Sequence, residues 1–321
     1  MNKRKNWNFQ LYIGGLLVLA FVVLAVIGPS VAPHEPDDQV KLHSEIVGGK
    51  SVLIAPPIEP FTMDSYLLGT GLLGFDLLTK LLYGARYTLV LSLAIALLKM
   101  VFGALIGLYT ASMKRQPGWI GALENAWSYI PVFIIVYFCL FPINFFGYQQ
   151  FSSETIPVSF LIGMFIVITA VVGIPSVVSS VRQKTLKIKD SEYVTAAFTL
   201  GAGKHRFVWK HVFPQMKEDL VVMFVLEIVY AMTVMGQLAL FHIFVGGTIV
   251  YDLDIWPAPQ YLSVTNEWAG LVGAGRDNIF GYHWMLKFPL FALLFATVSF
   301  SLFANGLKNR VKDQYQRTPW M

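Results

Sequence analysis

Only a few side chains of this 321-residue sequence stand where they could do chemistry inside a long apolar run. Glu227 and Lys99 lie within such runs, and His242 lies late in one of them. Because a charge is costly in hydrocarbon, such residues usually face the protein interior or a water path. Glu227 could contact a substrate or a partner helix, but the favoured interpretation is an interhelical hydrogen bond or a protonated carboxyl packed in the bundle. Lys99 is expected to snorkel toward the surface or to make a helix-packing contact.

The sequence contains no motif that carries catalysis or ATP binding. The stretch GAGKH at 201–205 has neither the spacing nor the Ser/Thr of a Walker loop. The six histidines show no metal-ligand spacing, and the HExxH and GxSxG motifs are absent. These absences predict a chain with no catalytic residues, no metal site and no cofactor of its own.

Composition indicates a polytopic membrane protein with an all-α fold. Hydrophobic residues make up 55% of the chain and charged residues only 13%, whereas soluble domains carry about 25% charged residues. The long apolar runs argue against a soluble protein with buried core helices. The first run mimics a signal peptide, but Pro33, placed after the only small-x-small candidate, predicts that this run stays as the first helix. The six predicted spans are 11–30, 88–111, 127–146, 158–180, 220–246 and 285–304.

The distribution of Lys and Arg orients these spans. Seventeen basic residues fall in the N-terminus, in 112–126, in 181–219 and in the C-terminal tail, against five in the opposite loops. Because basic residues concentrate in cytoplasmic loops, both termini are predicted to be cytoplasmic, and the basic balance does not require nucleic acid. Residues 1–30 are predicted to form the N-terminal cytoplasmic tip and the first helix, and residues 31–87 an extracytoplasmic excursion. Residues 88–304 are predicted to form a five-helix core with a cytoplasmic loop, 181–219, and an outer loop, 247–284. Residues 305–321 are predicted to form a cytoplasmic tail.

A basic, moderately polar segment between two apolar runs is the most informative feature. Glu192 suits the first turn of a helix, and Gly201 with Gly203 would end it. One face of that helix, at i, i+3, i+4 and i+7, consists of Tyr193, Ala196, Ala197 and Leu200. A second short helix is predicted from Lys204 to just before Pro214. The small apolar face suits insertion into a groove on another protein; the alternative is a helix that lies at the lipid surface.

This segment resembles the EAA loop of ABC importer permeases, whose pattern is E-A-A, three residues, Gly and a later hydrophobic-x-Pro. The matching positions here are Thr195, Ala196, Ala197, Gly201, His211 and Pro214. Thr195 replaces the Glu of the pattern. If that Glu contacts the ATPase in the family, this chain either lacks the contact or makes it through Glu192. The resemblance implies that residues 192–214 couple the chain to an ATPase.

Residues 67–93 resemble the outer motif of the C-type permease of dipeptide/oligopeptide importers, G-T-D-x-x-G-R-D-x-x-[ST]-[RK]-x-x-Y-G-A-R. The matches are Gly69, Thr70, Gly74, Asp76, Tyr83, Gly84, Ala85 and Arg86. Gly71 stands where the pattern has Asp, and Phe75 stands where it has Arg. Residues 266–311 are similar to the last outer loop and final span of the same subfamily, through Glu267, Trp268, Trp284 and Pro289. The resemblance covers about residues 66–321.

The resemblance implies the membrane-spanning subunit of an ATP-driven importer in a bacterial plasma membrane. Its expected partners are a second permease, two cytoplasmic ATPases that bind ATP and Mg, and an extracytoplasmic binding protein. Peptides are the expected cargo, with nickel, metal chelates or another small solute as alternatives. A secondary carrier would need an inverted repeat and opposed charges within the membrane, and a membrane enzyme would need clustered His, Asp or Glu; neither pattern is found in the sequence.

Overall fold

The fold is dominated by long apolar helices. The computed structural model describes residues 8–47, 50–113, 118–148, 156–192, 194, 203–251 and 259–317. Within these residues, five helices are long and apolar enough to cross a membrane: α1 (Phe9–Val31), α2 (Leu77–Ala111), α5 (Val158–Lys189), α6 (Lys204–Ala239) and α8 (Trp284–Arg317). The predicted class, a polytopic helical membrane protein, is confirmed.

The third predicted span is divided into two helices. α3 (Gly118–Tyr129) and α4 (Val132–Tyr148) are separated at Ile130 and Pro131. The break has a local cause, because a proline disfavours helical geometry at the residue before it. α4 is apolar but has only 17 residues, at the lower end of the roughly 17–25 that cross a bilayer. The count of six spans is therefore approximate: five long helices and one shorter apolar helix.

α2 extends well beyond the predicted span 88–111. Asp76 is its N-cap, with its carboxylate accepting from the backbone N–H groups of Leu78 and Thr79. At 1.5 Å per residue, the 35 residues of α2 span about 52 Å, against about 30 Å for a hydrocarbon core. Hydropathy located an apolar run within this helix, whereas the start of the helix is set by the capping aspartate.

The predicted stop before Pro214 is wrong. α6 runs without interruption from Lys204 to Ala239, through a π-helical stretch at Phe207–Val212. In this stretch the N–H of Phe213 bonds the carbonyl of Val208, which widens the helix by one residue. Pro214 comes directly after this shift, in the first turn of the α-helical part, where its missing N–H is tolerated.

The other end of α6 also differs from the prediction. The helix ends at Ala239 rather than near residue 246. His242 therefore lies outside the helix, in a turn, with a positive φ of 56°. The apolar stretch 243–245 that lengthened the predicted span is buried in the loop that follows, because an apolar run can be buried without being helical.

Two β-hairpins and a short helix, α7, lie among the described residues outside the apolar helices. β1 (His43–Val47) pairs antiparallel with β2 (Lys50–Ile54), and β3 (Thr248–Tyr251) with β4 (Gln260–Ser263). α7 (Trp268–Arg276) packs against α8, α6 and β4. All of these elements fall in the two stretches predicted to face outward.

α1 and α8 cross with their backbones in close contact. A Cβ on Gly14 would fall against the backbone of Phe303, and one on Gly306 would fall on Leu11. Small residues at such crossings let membrane helices approach closely. The side-chain amide of Asn8 donates to the carbonyl of Gly306 at 2.6 Å, so α1 begins beside the last part of α8.

Candidate functional site

The glycines of the outer motif hold a compact loop before α2. Gly69 and Gly74 have φ values of 74° and 82°, which favour glycine. A Cβ on Gly69 would lie 2.5 Å from the carbonyl oxygen of Ile58, and one on Gly74 would lie 2.5 Å from that of Val40. Thr70 Oγ1 accepts from the N–H of Ile58 at 2.9 Å. These motif residues pack the loop against residues 40–58.

Asp76 joins the start of α2 to the segment that follows α1. Its Oδ2 accepts from the N–H of Thr79 at 3.1 Å and from the Thr79 hydroxyl at 2.5 Å. The same oxygen lies 3.3 Å from His34 Nδ1, and the His34 ring stacks on Tyr66 at 4.7 Å. Asp76 is therefore a buried anchor and helix cap.

The remaining motif residues lie on α2 itself. Gly84 faces α7: a Cβ there would fall on the carbonyl of Asn266 and lie 3.3 Å from the Trp268 ring. Glycine is needed at this position because the backbone leading into α7 passes directly over the helix. Tyr83 is half-buried and Arg86 is exposed, so the motif contains packing residues as well as an exposed cation.

Glu267 is the most deeply buried acid near this region. Its side chain is 1% exposed. Oε1 accepts from the N–H of Val245 at 3.1 Å, and Oε2 contacts the hydroxyls of Ser263 and Thr265. Burial raises the pKa of the carboxyl, although these hydrogen bonds act in the opposite direction. Besides the match of Glu267 to the last outer loop of the subfamily, the alternation of the polar residues Ser263, Thr265 and Glu267 is the local sequence signal for this cluster.

Within the membrane helices, Lys99 of α2 and Glu227 of α6 form an ion pair. Lys99 is 1% exposed and Glu227 is 17% exposed. The ammonium also lies 4.3 Å from the centroid of the Tyr230 ring. Gly173 of α5 makes room for the pair, because a Cβ there would collide with the end of Lys99. No local sequence pattern pairs the two charges, since 128 residues separate them in the chain.

A cavity of about 390 Å³ lies between α5, α6 and the break that separates α3 from α4. Ser176, Ser179 and Ser180 line one side, and Tyr230 lines another. Trp127 also lines it, with a buried Nε1 that has no hydrogen-bond partner in the described part of the chain. Tyr230 thus contacts both this cavity and the Lys99 ammonium.

The predicted coupling residues fall partly outside the described residues. Those outside are Tyr193, Thr195, Ala196, Ala197, Leu200 and Gly201. Of the others, Glu192 and Pro214 are exposed and His211 is half-buried. The described flanks of this segment are the end of α5 and the start of α6.

Three helix ends are joined beside these flanks. Lys189, at the end of α5, donates to the carbonyl of Met113, just after α2, at 2.7 Å. Tyr109 of α2 lies 3.0 Å from His205 Nδ1, and its hydroxyl accepts from Trp209 Nε1 at 3.2 Å. Both His205 and Trp209 belong to the first turns of α6. These contacts connect α2 to both flanks of the segment between α5 and α6, so a displacement of that segment would also act on α2.

Comparison of the sequence with known proteins identifies a family. Residues 100–315 match the family model described as the binding-protein-dependent transport system inner membrane component. The chain is 27% identical over 301 residues to the di/tripeptide transport system permease protein DppC of Pseudomonas aeruginosa, covering 92% of this chain and 86% of that protein. It is 24% identical over 308 residues to the dipeptide transport system permease protein DppC of Haemophilus influenzae, covering 95% and 90%. It is 23% identical over 309 residues to the oligopeptide transport system permease protein OppC of the same organism, covering 96% and 86%. The chain belongs to the family of inner-membrane components of binding-protein-dependent transport systems.

Proposed function

We propose that this chain is the membrane-spanning subunit of an ATP-driven peptide importer. The observation that carries the proposal is the family match together with relatives named as dipeptide, di/tripeptide and oligopeptide permeases, each aligned over 92–96% of the chain. The outer motif supports it, since its glycines and Asp76 each have a defined packing role. Import of nickel, a metal chelate or another small solute by the same assembly is the alternative.

The proposed assembly contains a second permease, two cytoplasmic ATPases and an extracytoplasmic binding protein. In this assembly ATP and Mg bind to the ATPases, and the present chain is not catalytic. The family description supports a binding-protein partner.

Both termini and residues 181–219 are proposed to be cytoplasmic, in a bacterial plasma membrane. The seventeen-to-five split of basic residues supports this orientation. The positions of the contacts at the two ends of the helices also support this orientation. The bond from Asn8 to Gly306 and that from Lys189 to Met113 lie at the end with the basic segments, whereas the hairpins and α7 lie between the other helix ends.

Residues 192–203 are proposed to sit in a groove of an ATPase. When ATP closes the ATPase pair, this segment would move with it and tilt the helices on either side. The bonds from Lys189 to Met113 and from Trp209 to Tyr109 support a coupled response of α2, α5 and α6. Only contacts that differ between the inward-open and outward-open states can transmit such a bias.

Glu227 is proposed to act in helix packing through its pair with Lys99. Tyr230, which contacts that ammonium, also lines the serine-containing cavity. We place the cargo pathway on this side of α5 and α6, where hydroxyl groups could replace the water bound to a peptide backbone.

The test uses the complete importer reconstituted in vesicles. Ala197→Trp and Gly201→Val should each abolish substrate-stimulated ATPase activity and uptake, because a bulky side chain would clash in the groove; overpacking of this kind typically costs about 1–3 kcal/mol. Assembly should be intact by size exclusion. Gly118→Val is the matched control, since a Cβ at Gly118 meets nothing within 4 Å.

A helix at the lipid surface predicts a different result, because added apolar bulk is tolerated there. Normal ATPase stimulation in both variants would therefore refute the coupling role. Absence of peptide uptake by the wild-type importer, with uptake of a metal or chelate instead, would refute the peptide cargo alone.

A further inference from the structure

A buried cation stands at the [RK] position of the outer motif. Lys80, in the first turn of α2, is 7% exposed. Its ammonium stands 3.7 Å from the centroid of the Phe75 ring. Across the described residues, this ammonium makes no hydrogen bond or ion pair; Asp37 acts on it only at longer range. Buried lysines are normally paired, because a desolvated charge with an aromatic ring as its sole contact is costly.

Lys80 lines a cavity of about 60 Å³ between the outer motif, β4, α7 and the start of α8. The walls are mainly apolar and include Leu271 and Met285. Two amide side chains complete the lining: Asn278 Nδ2 donates to Gln260 Oε1 at 3.1 Å. One water needs roughly 10–15 Å³ on this measure, so the carboxylate and side chain of one terminal residue fit, whereas a whole dipeptide does not.

The two departures from the outer motif meet at this cavity. Gly71 and Phe75 both line it, at positions where the motif has Asp and Arg. A Cβ on Gly71 would meet only the carbonyl oxygen of Phe75, at 3.9 Å, so packing does not demand glycine there. With Gly71 the wall carries no acid beside Lys80, and with Phe75 it carries no second cation. The cavity is therefore apolar with a single positive charge.

We propose that this cavity binds the C-terminal residue of the peptide cargo, with Lys80 holding the carboxylate. The apolar walls around Leu271 and Met285 receive the side chain of that residue. The proposal rests on the proposed function, since it assumes that peptides are the cargo and arrive from this side. An acidic side chain of the binding protein would find the same ammonium, but it would not need apolar walls around it.

Transport by the complete importer tests the proposal with two forms of one tripeptide that ends in leucine, a free acid and a C-terminal amide. Wild type should take up the acid faster than the amide. Lys80→Met should lower uptake of the acid about tenfold, as expected for loss of one charge-assisted bond, with little change for the amide; Lys80→Arg should keep the preference. Gly71→Asp, which places an acid in the wall, should act like Lys80→Met, and Gly71→Asn is its uncharged control of the same shape.

A labelling experiment tests the site without transport, in a Gly71→Cys, Cys139→Ser chain within the assembled importer. An anionic methanethiosulfonate should react with the new cysteine faster than a cationic one, and Lys80→Met should remove the difference. N-acetyl-leucine should slow the labelling, and N-acetyl-leucinamide should not.

Equal uptake of acid and amide by wild type would overturn the proposal and leave peptide transport standing. Equal loss of both peptides in Lys80→Met, with weaker docking of the binding protein, would also overturn it and would assign Lys80 to the docking surface. If the wild-type importer moves neither peptide, the proposed function fails, and labelling decides the site alone: protection by N-acetyl-leucine supports a carboxylate pocket, and no protection refutes it.

Discussion

Removing one member of the Lys99–Glu227 pair should destabilise the protein far more than removing both. The two side chains join α2 to α6 and are 1% and 17% exposed. Glu227→Leu leaves the Lys99 ammonium with the Tyr230 ring as its remaining neighbour of opposite polarity. In Lys99→Met, by contrast, the carboxylate left behind is less enclosed, because Glu227 is 17% exposed. The double variant, Lys99→Met with Glu227→Leu, leaves no charge behind.

The burial of each partner determines how much stability its removal should cost. Breaking a buried pair from one side typically costs about 3–5 kcal/mol, and we expect this for Glu227→Leu because Lys99 is the more buried partner. Lys99→Met should cost less, about 1–3 kcal/mol, the penalty for a polar group left without its hydrogen bond. The double variant should lie within about 1 kcal/mol of wild type, since apolar replacements of similar volume are often neutral.

Denaturation in mixed micelles, followed by tryptophan fluorescence, measures the free energy of unfolding of all four proteins. The decisive quantity is the departure from additivity, expected to be at least about 3 kcal/mol. If the two single effects are each below about 1 kcal/mol and simply add, the pair is solvated and the argument from burial is wrong.

Three further predictions use the described contacts. Gly173→Ala should lower the free energy of unfolding by about 1–3 kcal/mol, because its Cβ would collide with Lys99; Gly163→Ala on the same helix, where a Cβ meets nothing within 4 Å, should not. Burial raises the pKa of Glu267 above the ordinary 4.5, so the folded protein binds the carboxyl proton more tightly than the unfolded protein does. The free energy of unfolding should therefore fall as pH rises through the folded-state pKa. Glu267→Gln has no proton to lose at this position, so its thermal unfolding should lack that pH-dependent loss of stability. In intact cells that carry the Cys139→Ser background, an impermeant maleimide should label Phe280→Cys and not Lys204→Cys, although both positions are exposed. Labelling at position 204 would show that the predicted orientation in the membrane is wrong.

The sequence alone determined the class of protein, because hydropathy is a property of each run of residues. Four of the six predicted spans lie within long helices, and a fifth, 220–246, begins in α6 and runs past its end at Ala239. The motif match singled out Gly69 and Gly74, and the structure supplies the reason for glycine there, a positive φ at both positions. The resemblance to an importer permease, carried by short motifs, agrees with the family match over residues 100–315.

The tertiary structure alone decided which distant residues meet. The pairing of Lys99 with Glu227 depends on how α2 packs against α6, and no local pattern encodes that register. The same holds for Lys80, which is isolated only because β4, α7 and α8 enclose it. Pro214 misled the sequence reading because the π-helical stretch before it depends on the burial of Phe207, Val208 and Val212 against α2 and α5. Hydropathy and propensity act along the chain, whereas these features arise from packing between segments.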